Sequence, residues 1–296
     1  MADGKNTYTL AVLACGTMGT AIVSGMLDSL KESPSSDAPR PDRLILTVNR
    51  AASVQRLQQS LPTTQIPVEI LVQENTKAVR DADVVLLCCK PQLVRSIMGQ
   101  DGMQSALVKT TLISIAAGVR LDQLAEYTQE AAAHGTAPRV VRVMSNTPSK
   151  IREGMSVIAM REKNEGDRAV LSAMFSAVGR CLFLEEKYFD ACTALAGSGP
   201  AFAAVFLEAM ADGGVMMGLP RAEAMELAAQ TLQGTARLAL QTGMRPAAIK
   251  DSVTTPGGCT IAGLLQLEDG RIRSTVARTI QTATEHAASL GKAKEQ

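Results

Sequence analysis

Residues 254–265, the run TTPGGCTIAGLL, combine hydroxyl side chains with a Pro-Gly-Gly turn and are the stretch best suited to binding a small anion. A loop of this kind that leads into a helix leaves backbone N–H groups without intrahelical partners, and such groups bind anions. The loop has no charged side chain. A carboxylate would therefore be held by the amides of Gly257, Gly258 and Cys259, by hydroxyls and by the helix dipole. The alternative is that Thr260 only serves as the helix N-cap.

A second candidate site follows the first apolar run, residues 8–13, where the chain continues ACGTMG and then enters a helical pattern. A strand, a Gly-containing turn and a helix are typical of a dinucleotide-binding site, because the turn lets the backbone approach the pyrophosphate. Ala14 stands where the usual G-x-G-x-x-G pattern has its first glycine. The motif predicts cofactor contacts from Gly16, Thr17, Met18 and Gly19.

The next strand pattern, residues 43–48, ends in Asn49-Arg50. An Asp or Glu here would bind the ribose 2′-hydroxyl of NAD, whereas a neutral residue with an Arg suits the 2′-phosphate of NADP. These two residues therefore favour NADPH as the cofactor, with NADH as the alternative. Arg50 is also compatible with a solvated position at the start of a helix. The polar, Pro-rich residues 31–41 before this strand are expected to form a surface loop.

Further strand patterns alternate with helical ones, at residues 68–72, 84–89, 109–115, 139–144, 155–160 and 181–184. Several of these runs end in turns with small or polar residues. In open α/β sheets ligands bind beyond the carboxyl ends of the strands, so these turns should share one cleft. Additional cofactor contacts are predicted at Lys90, Pro91, Ala116, Ala117, Gly118 and Asn146. Taken singly, each turn is also compatible with an ordinary connection between elements.

The length of 296 residues is enough for two domains, since single cores stop growing at around 250 to 300 residues. The charged run REKNEGDR suggests a boundary near residue 163. We therefore expect an α/β, Rossmann-type NAD(P)-binding domain over residues 1–163. An all-α domain for dimerisation and substrate binding is expected over residues 164–296.

The second half is predicted to be helical, after a Gly-Ser turn at residues 194–200. Its first helix, from residue 201, carries small or apolar residues nearly all round, because Ala204, Ala211 and Gly214 lie on the faces beside the main apolar stripe. Such a helix must be buried on several sides, which a domain of this size cannot easily do alone. A homodimer is therefore predicted. The alternative is a monomer whose neighbouring helices cover this one.

Composition excludes several classes of function. The 30 Lys+Arg balance 29 Asp+Glu, and aromatic residues make up 3% with no Trp, so nucleic acid is not an expected partner. Six cysteines without a C-x-x-C pair, and two histidines, predict neither a metal site nor a disulfide framework. The first ten residues lack signal-peptide features, and no apolar stretch approaches the ~20 residues of a membrane span. A soluble, cytoplasmic protein is expected.

The chain resembles the pyrroline-5-carboxylate reductase family over nearly its whole length. The resemblance is carried by ALAGSGPAF, ADGGVMMGLPR and, above all, DSVTTPGGCTIAGL, with support from MSNTP and AAGV. It implies a Rossmann domain and a helical domain that interlocks with its partner, in dimers that often assemble into larger rings. The implied reaction is the last step of proline biosynthesis, a hydride transfer from NADPH or NADH to the imine carbon of 1-pyrroline-5-carboxylate.

The resemblance also implies roles for individual residues. Thr260 would contact the ring nitrogen of the substrate, and the carboxylate site would be lined by Val253, Thr255, Gly258 and Cys259. Two departures from the family pattern stand out. One is Ala14 in the cofactor turn, and the other is Gly243-Met244, in a loop where many relatives have a Glu.

The predicted chemistry needs no strong acid or metal. A protonated cyclic imine is already electrophilic, so proximity and orientation can supply most of the rate, and Thr260 is expected to orient the nitrogen by a hydrogen bond. One rival is a dehydrogenase acting on hydroxyacids, which would need a base such as Lys187 or Lys250. The other is an NADP-sensing protein of the same fold without enzymatic activity.

Overall fold

The computed structural model describes residues 6–33 and 37–290, and the chain divides into two compact units. The first contains Met1–Gly197 together with Thr284–Gln296, and the second is Ser198–Ala283. Residues 1–5, part of the segment tested for a signal peptide, lie outside the described residues, as do residues 34–36 of the expected surface loop. The helix before the expected loop of residues 31–41 continues to Glu32, and the strand after it begins at Arg40. Less of this range is therefore loop than expected.

In the described part of the chain, eight strands form one sheet. They are β1 (Thr7–Leu13), β2 (Arg40–Val48), β3 (Val68–Val72), β4 (Val84–Leu87), β5 (Thr111–Ser114), β6 (Arg139–Met144), β7 (Gly154–Met160) and β8 (Gly179–Phe183). Their order is β3-β2-β1-β4-β5-β6-β7-β8, with β1 to β6 parallel, β7 antiparallel to β6, and β8 parallel to β7. The first six strands have the Rossmann order, which confirms the predicted fold class.

Apolar clusters cover both faces of the sheet, which explains why its strands are nearly continuous apolar runs. Leu10 and Val12 pack into the cluster on one face, and Ala11 and Leu13 pack into that on the other. Full burial of a Leu or Val side chain contributes about 1.5–3 kcal/mol. The sheet is therefore a rigid support for the turns at its carboxyl edge.

The helices of the first unit lie between and after these strands. They are α1 (Thr17–Glu32), α2 (Ala52–Ser60), α3 (Asn75–Arg80), α4 (Val94–Met98), α5 (Met103–Ala106), α6 (Leu121–Tyr127), α7 (Glu165–Ser176) and α8 (Phe189–Cys192). Short 3-10 helices occupy Pro91–Leu93, Gln129–His134, Thr147–Ile151 and Glu186–Tyr188. The second unit contains α9 (Gly199–Met216), α10 (Arg221–Thr242), α11 (Pro246–Ser252), α12 (Cys259–Asp269) and most of α13 (Ile272–Leu290).

The division between the units lies after Gly197, not near residue 163 as expected. β8 pairs with β7 over five residues, from Gly154↔Gly179 to Ile158↔Phe183, so it extends the same sheet. α7 packs against this sheet through Val170, Leu171 and Phe175, which are buried in its apolar cluster. The charged run before α7 is therefore a surface connection within the first unit.

The stretch that joins the units is helical, so the prediction of a Gly-Ser turn at residues 194–200 is wrong. Thr193–Gly197 forms a π-helix, and α9 starts at Gly199 with Pro200 in its first turn. Proline is favoured there because its missing N–H would have no intrahelical partner. The Ser198 carbonyl accepts a hydrogen bond from the N–H of Ala201 at 3.0 Å, so the chain continues from one helix into the next.

The second unit has very little core of its own. Its buried apolar cluster consists of three alanines, Ala211, Ala224 and Ala228, at the crossing of α9 and α10. Small residues bring these two helices close, since a Cβ on Gly214 would lie 3.2 Å from that of Ala224. Large apolar side chains are instead exposed, among them Val205, Met216, Met217, Leu227, Leu240 and Leu265. This unit thus leaves an extended apolar surface uncovered.

One helical stretch of the described residues, Glu186–Met216, is long and apolar enough to cross a membrane by length and composition alone. This corrects the expectation that no stretch reaches that length. The stretch was missed because the turn expected within it would have divided it into two shorter pieces. A helix that packs into a protein interface meets the same criterion, so the finding by itself is weak evidence for a membrane.

Candidate active site

The turn between β1 and α1 has the geometry of a dinucleotide-binding turn. Gly16 precedes α1 as its N-cap, and a Cβ there would meet only the Ala14 carbonyl oxygen, at 3.8 Å, which leaves room for a phosphate to approach. Gly19 is buried, and a Cβ there would lie 3.1 Å from Cys88 Sγ and 3.2 Å from Cys15 Sγ. Glycine at this position therefore lets α1 pack closely on the sheet. Thr17 is exposed and Met18 half-buried at the open side of the turn.

The first residue of this turn, Ala14, has a left-handed backbone conformation with φ of +54°. A residue with a Cβ costs roughly 1–2 kcal/mol more than glycine in this conformation. Alanine in place of the usual glycine therefore strains the backbone of the turn.

Asn49 and Arg50 lie at the carboxyl end of β2, the strand beside β1, and both are exposed. The Asn49 carbonyl accepts a hydrogen bond from Gln73 Nε2 at 3.0 Å, which holds the backbone of this connection. No described acidic side chain pairs with Arg50. Its guanidinium is therefore available to a phosphate at the edge of the sheet.

The remaining predicted cofactor residues in the β4–α4 and β5–α6 connections lie at the same edge. Lys90 is exposed and Pro91 begins the 3-10 helix after β4. After β5, Ala116 is buried, Ala117 is exposed and Gly118 has φ of +78°. These strands are parallel neighbours, so the turns after them lie at the same edge of the sheet, and the shared cleft stays a prediction.

Asn146, after β6, has a structural role that the sequence did not predict. Its Nδ2 donates to the Ala196 carbonyl at 3.0 Å, and its Oδ1 accepts from the Met155 N–H at 2.8 Å. The amide therefore connects β6, β7 and the π-helix. A cofactor contact from this residue stays a prediction.

The thiols around the cofactor turn are uncharged. Burial raises the pKa of Cys15 to about 11 and that of Cys89 to about 11, and it raises the pKa of Cys88 well above its ordinary value. The turn therefore presents no thiolate that would repel a pyrophosphate. All six cysteines are free, and no group of three or more His, Cys, Asp or Glu residues in the described part of the chain is arranged to hold a metal ion.

The loop of residues 254–258 lies in the second unit, between α11 and α12. Thr254 Oγ1 donates to the Lys250 carbonyl at 2.7 Å, and Val253, the C-cap of α11, is 61% exposed. Gly257 has φ of +69°, a left-handed conformation that favours glycine. A Cβ on Gly258 would lie 2.5 Å from Thr255 Oγ1 and 3.3 Å from the Thr255 carbonyl oxygen. Both glycines are thus required by the path of the loop.

The N-terminus of α12 is suited to an anion. Its N-cap is Gly258, with no capping side chain from the described residues and no acidic residue in the first turn. The alternative role of Thr260 as the N-cap is therefore wrong, because Gly258 is the N-cap and the helix already begins at Cys259. The Thr260 side chain is half-buried in the first turn, and its hydroxyl forms no hydrogen bond with any described residue. It remains available to a ligand.

The departure at Gly243-Met244 has a structural reason. Gly243 is the C-cap of α10, with φ of +69°, and its N–H donates to the Ala239 carbonyl at 3.0 Å. A glycine in this conformation is a common way to end a helix. Gly243 therefore ends α10.

Two lysines considered as bases for a dehydrogenase are already paired. Lys187 contacts Glu185 at 2.7 Å, and this hydrogen bond raises the pKa of the lysine above its ordinary value. Lys250 contacts Asp251. A lysine with a raised pKa is a poorer proton acceptor at neutral pH, which disfavours the hydroxyacid chemistry.

One contributor to the cofactor turn was missed from the sequence, namely Thr47 in β2. Its hydroxyl accepts a hydrogen bond from the Ala14 N–H at 2.9 Å. The signal that could have revealed it is a single hydroxyl inside the otherwise apolar run LILTV.

A Rossmann-type unit with an open turn after β1, followed by a helical unit with an uncharged loop before α12, is typical of a nicotinamide-dependent oxidoreductase. Residues 9–118 match a family model described as NADP oxidoreductase coenzyme F420-dependent, and residues 186–290 match the model of pyrroline-5-carboxylate reductase dimerisation. The chain belongs to the pyrroline-5-carboxylate reductase family.

Full-length relatives support this assignment. A pyrroline-5-carboxylate reductase of Lophium arboricola is 45% identical, with 96% of this chain and 93% of the relative covered. That of Schizosaccharomyces pombe is 43% identical, with coverage of 95% and 98%. Among solved structures, a pyrroline-5-carboxylate reductase from Coxiella burnetii has a TM-score of 0.82 at 26% identity, covering 95% of this chain and 97% of that one.

Proposed function

We propose that this chain reduces 1-pyrroline-5-carboxylate to L-proline, the last step of proline biosynthesis, with NADPH as the preferred hydride donor. The observation that carries the proposal is the uncharged loop before α12, in a member of this reductase family. Among the described residues, no side chain caps this helix and none hydrogen-bonds the Thr260 hydroxyl. The direct test is incubation with NADPH and 1-pyrroline-5-carboxylate. Loss of NADPH with formation of proline is expected, whereas reduction of NADP⁺ by hydroxyacids, without loss of NADPH in the presence of 1-pyrroline-5-carboxylate, would favour the rival dehydrogenase.

In the proposed complex, each part of the substrate has a partner in the loop. The carboxylate fits the N–H groups of Gly257, Gly258 and Cys259, where the dipole of α12 favours a negative charge. Val253 and Thr255 line the same loop. In this arrangement the Thr260 hydroxyl hydrogen-bonds the ring nitrogen and so fixes the orientation of the imine.

The cofactor residues fit a dinucleotide at the carboxyl edge of the sheet. The open backbone at Gly16 and the N-terminus of α1 suit the pyrophosphate, and Arg50 suits a 2′-phosphate. The turns at Lys90, Pro91, Ala116, Ala117, Gly118 and Asn146 would line the rest of the site. When bound, the reduced nicotinamide supplies the hydride. The protein's part is to orient the two reactants, which can account for most of the rate.

The preference for NADPH can be tested at Arg50. Arg50→Ala should lower the ratio of kcat/KM with NADPH to kcat/KM with NADH by about tenfold or more, because a hydrogen bond to a charged group contributes about 1.5–3 kcal/mol. Initial rates with both cofactors give this ratio. Arg180→Ala is the control, because Arg180 is also an exposed arginine but lies in β8, away from the predicted cofactor turns. An unchanged ratio in Arg50→Ala would remove the argument for NADPH.

A homodimer is proposed as the working form, with assembly of dimers into a larger ring as the further step. The helical unit matches a dimerisation model, and its buried cluster of three alanines leaves Val205, Leu227 and other apolar side chains exposed. A second copy of this unit would cover them. Sedimentation should give at least twice the chain mass of 31.2 kDa, and Val205→Glu should shift the protein toward the monomer. A wild-type protein that sediments only as a monomer would contradict the dimer.

The proposed location is the cytoplasm, without a membrane or nucleic acid as partner. Six free cysteines fit a reducing compartment. In the dimer proposal, the apolar stretch Glu186–Met216 is covered by protein and not by lipid. Fluorescence microscopy of the tagged protein would test the location.

A further inference from the structure

The strained start of the cofactor turn is held by a buried hydrogen-bond network. The Ala14 N–H donates to Thr47 Oγ1 at 2.9 Å, and the next N–H, of Cys15, donates to the Thr47 carbonyl at 2.7 Å. One residue of β2 therefore binds two successive amides of the turn. Thr47 is 1% exposed, so water does not compete for these bonds.

Asn75, the first residue of α3, sets the direction of the Thr47 hydroxyl. Thr47 Oγ1 donates its proton to Asn75 Oδ1 at 2.6 Å, and Asn75 Nδ2 in turn donates to Gln100 Oε1 at 3.2 Å. A hydroxyl has one proton and two lone pairs, so a proton directed at Asn75 leaves a lone pair for the Ala14 N–H. Asn75 is 5% exposed, and both members of the pair are thus fixed inside the fold.

We propose that Thr47 and Asn75 are positioning residues for the nicotinamide cofactor, which hold Ala14 in the left-handed conformation that the cofactor turn requires. The proposal rests on the proposed function, since it takes the turn to be the cofactor site. Glycine adopts this conformation without a steric penalty, whereas alanine does not. The hydrogen bond from the Ala14 N–H would be lost if the turn relaxed, and an unsatisfied buried N–H is costly. The network thereby stabilises the left-handed backbone conformation that a glycine would adopt without strain.

A double-mutant cycle on NADPH binding tests this role. Thr47→Val should raise the Kd for NADPH about fivefold to tenfold. It removes the buried hydroxyl that accepts a hydrogen bond from the turn, and the loss of one such bond changes an equilibrium constant by about this factor. Ala14→Gly should bind NADPH at least as tightly as the wild type. In the Ala14→Gly background, Thr47→Val should raise the Kd clearly less than it does in the wild type. Thr47→Ser, which keeps the hydroxyl, should restore binding.

Thr110→Val is the matched control. Thr110 is 3% exposed, and its hydroxyl donates to the Leu107 carbonyl at 2.8 Å, just before β5 and at the opposite edge of the sheet. Thr110→Val should lower thermal stability about as much as Thr47→Val does, but it should leave the Kd for NADPH unchanged. In kinetics, Thr47→Val should raise the KM for NADPH and leave the KM for 1-pyrroline-5-carboxylate near the wild-type value.

The outcomes separate this inference from the proposed function. Equal binding of NADPH by the wild type and Thr47→Val, or additive effects of Ala14→Gly and Thr47→Val, would overturn the positioning role alone. Weaker binding in Thr110→Val would show a general effect of stability and would also overturn it. A wild-type protein that binds neither NADPH nor NADH would contradict the proposed function, and the inference with it.

Discussion

Thr260→Ala is expected to lower turnover about a hundredfold while the Kd for NADPH stays near the wild-type value, as for loss of a catalytic hydrogen bond. The Thr260 hydroxyl lies in the first turn of α12 and has no partner among the described residues, so its removal disturbs no hydrogen bond of the fold described here. Steady-state rates with 1-pyrroline-5-carboxylate and fluorescence titration with NADPH measure the two effects separately.

Thr260→Ser is the control for this substitution, because it keeps the hydroxyl and removes only a methyl group. It should retain most of the wild-type turnover. Near-normal turnover in Thr260→Ala would show that the hydroxyl does not orient the substrate. An equal loss in the Ser and Ala variants would assign the effect to packing in the loop.

Gly258→Ala is expected to have an effect of similar size through the shape of the loop. The added Cβ would lie 2.5 Å from Thr255 Oγ1, a distance that real Cβ atoms do not adopt, so the loop must move. A shift of about 1 Å at the substrate can cost about a hundredfold in rate. We therefore expect kcat/KM for 1-pyrroline-5-carboxylate to fall by about that factor, with a raised KM, while NADPH binding is unchanged.

Gly263→Ala is the matched control, since Gly263 lies in α12, the helix that follows Gly258, and a Cβ there meets nothing within 4 Å. Alanine is favoured over glycine inside a helix, so this variant should be at least as stable as the wild type. Wild-type kinetics in Gly258→Ala would show that the conformation of the loop does not matter for the substrate. A loss in Gly263→Ala equal to that in Gly258→Ala would show that the effect is not specific to the loop.

The sequence predicted the parts of the fold that local pattern determines. The strands at 68–72 and 139–144 have the bounds of β3 and β6, because apolar, β-branched runs are bounded by turn residues. The strand, Gly-containing turn and helix at the start of the chain were also predicted, and β1 and α1 lie on either side of that turn. The assignment of Thr260 came from the family resemblance, and its free hydroxyl is consistent with it.

Other features depend on contacts between distant residues and could not be predicted in this way. The segment ALAGSGP has the composition of a turn, yet its helical backbone is held by a hydrogen bond from Asn146 to the Ala196 carbonyl, 50 residues away in sequence. The charged run near residue 163 resembles a linker, but β8 returns to the sheet after it. The support of Ala14 by Thr47 joins residues 33 apart, and no local pattern encodes it.

The most direct measurement uses an isotope label to follow the transferred hydride. NADPH carrying deuterium at both positions of C4 of its nicotinamide ring would be incubated with the protein and 1-pyrroline-5-carboxylate, and the product examined by mass spectrometry. The proposed function predicts L-proline with one deuterium at the former imine carbon, at a rate that falls in Thr260→Ala. Absence of labelled proline from a folded protein that binds NADPH would contradict it.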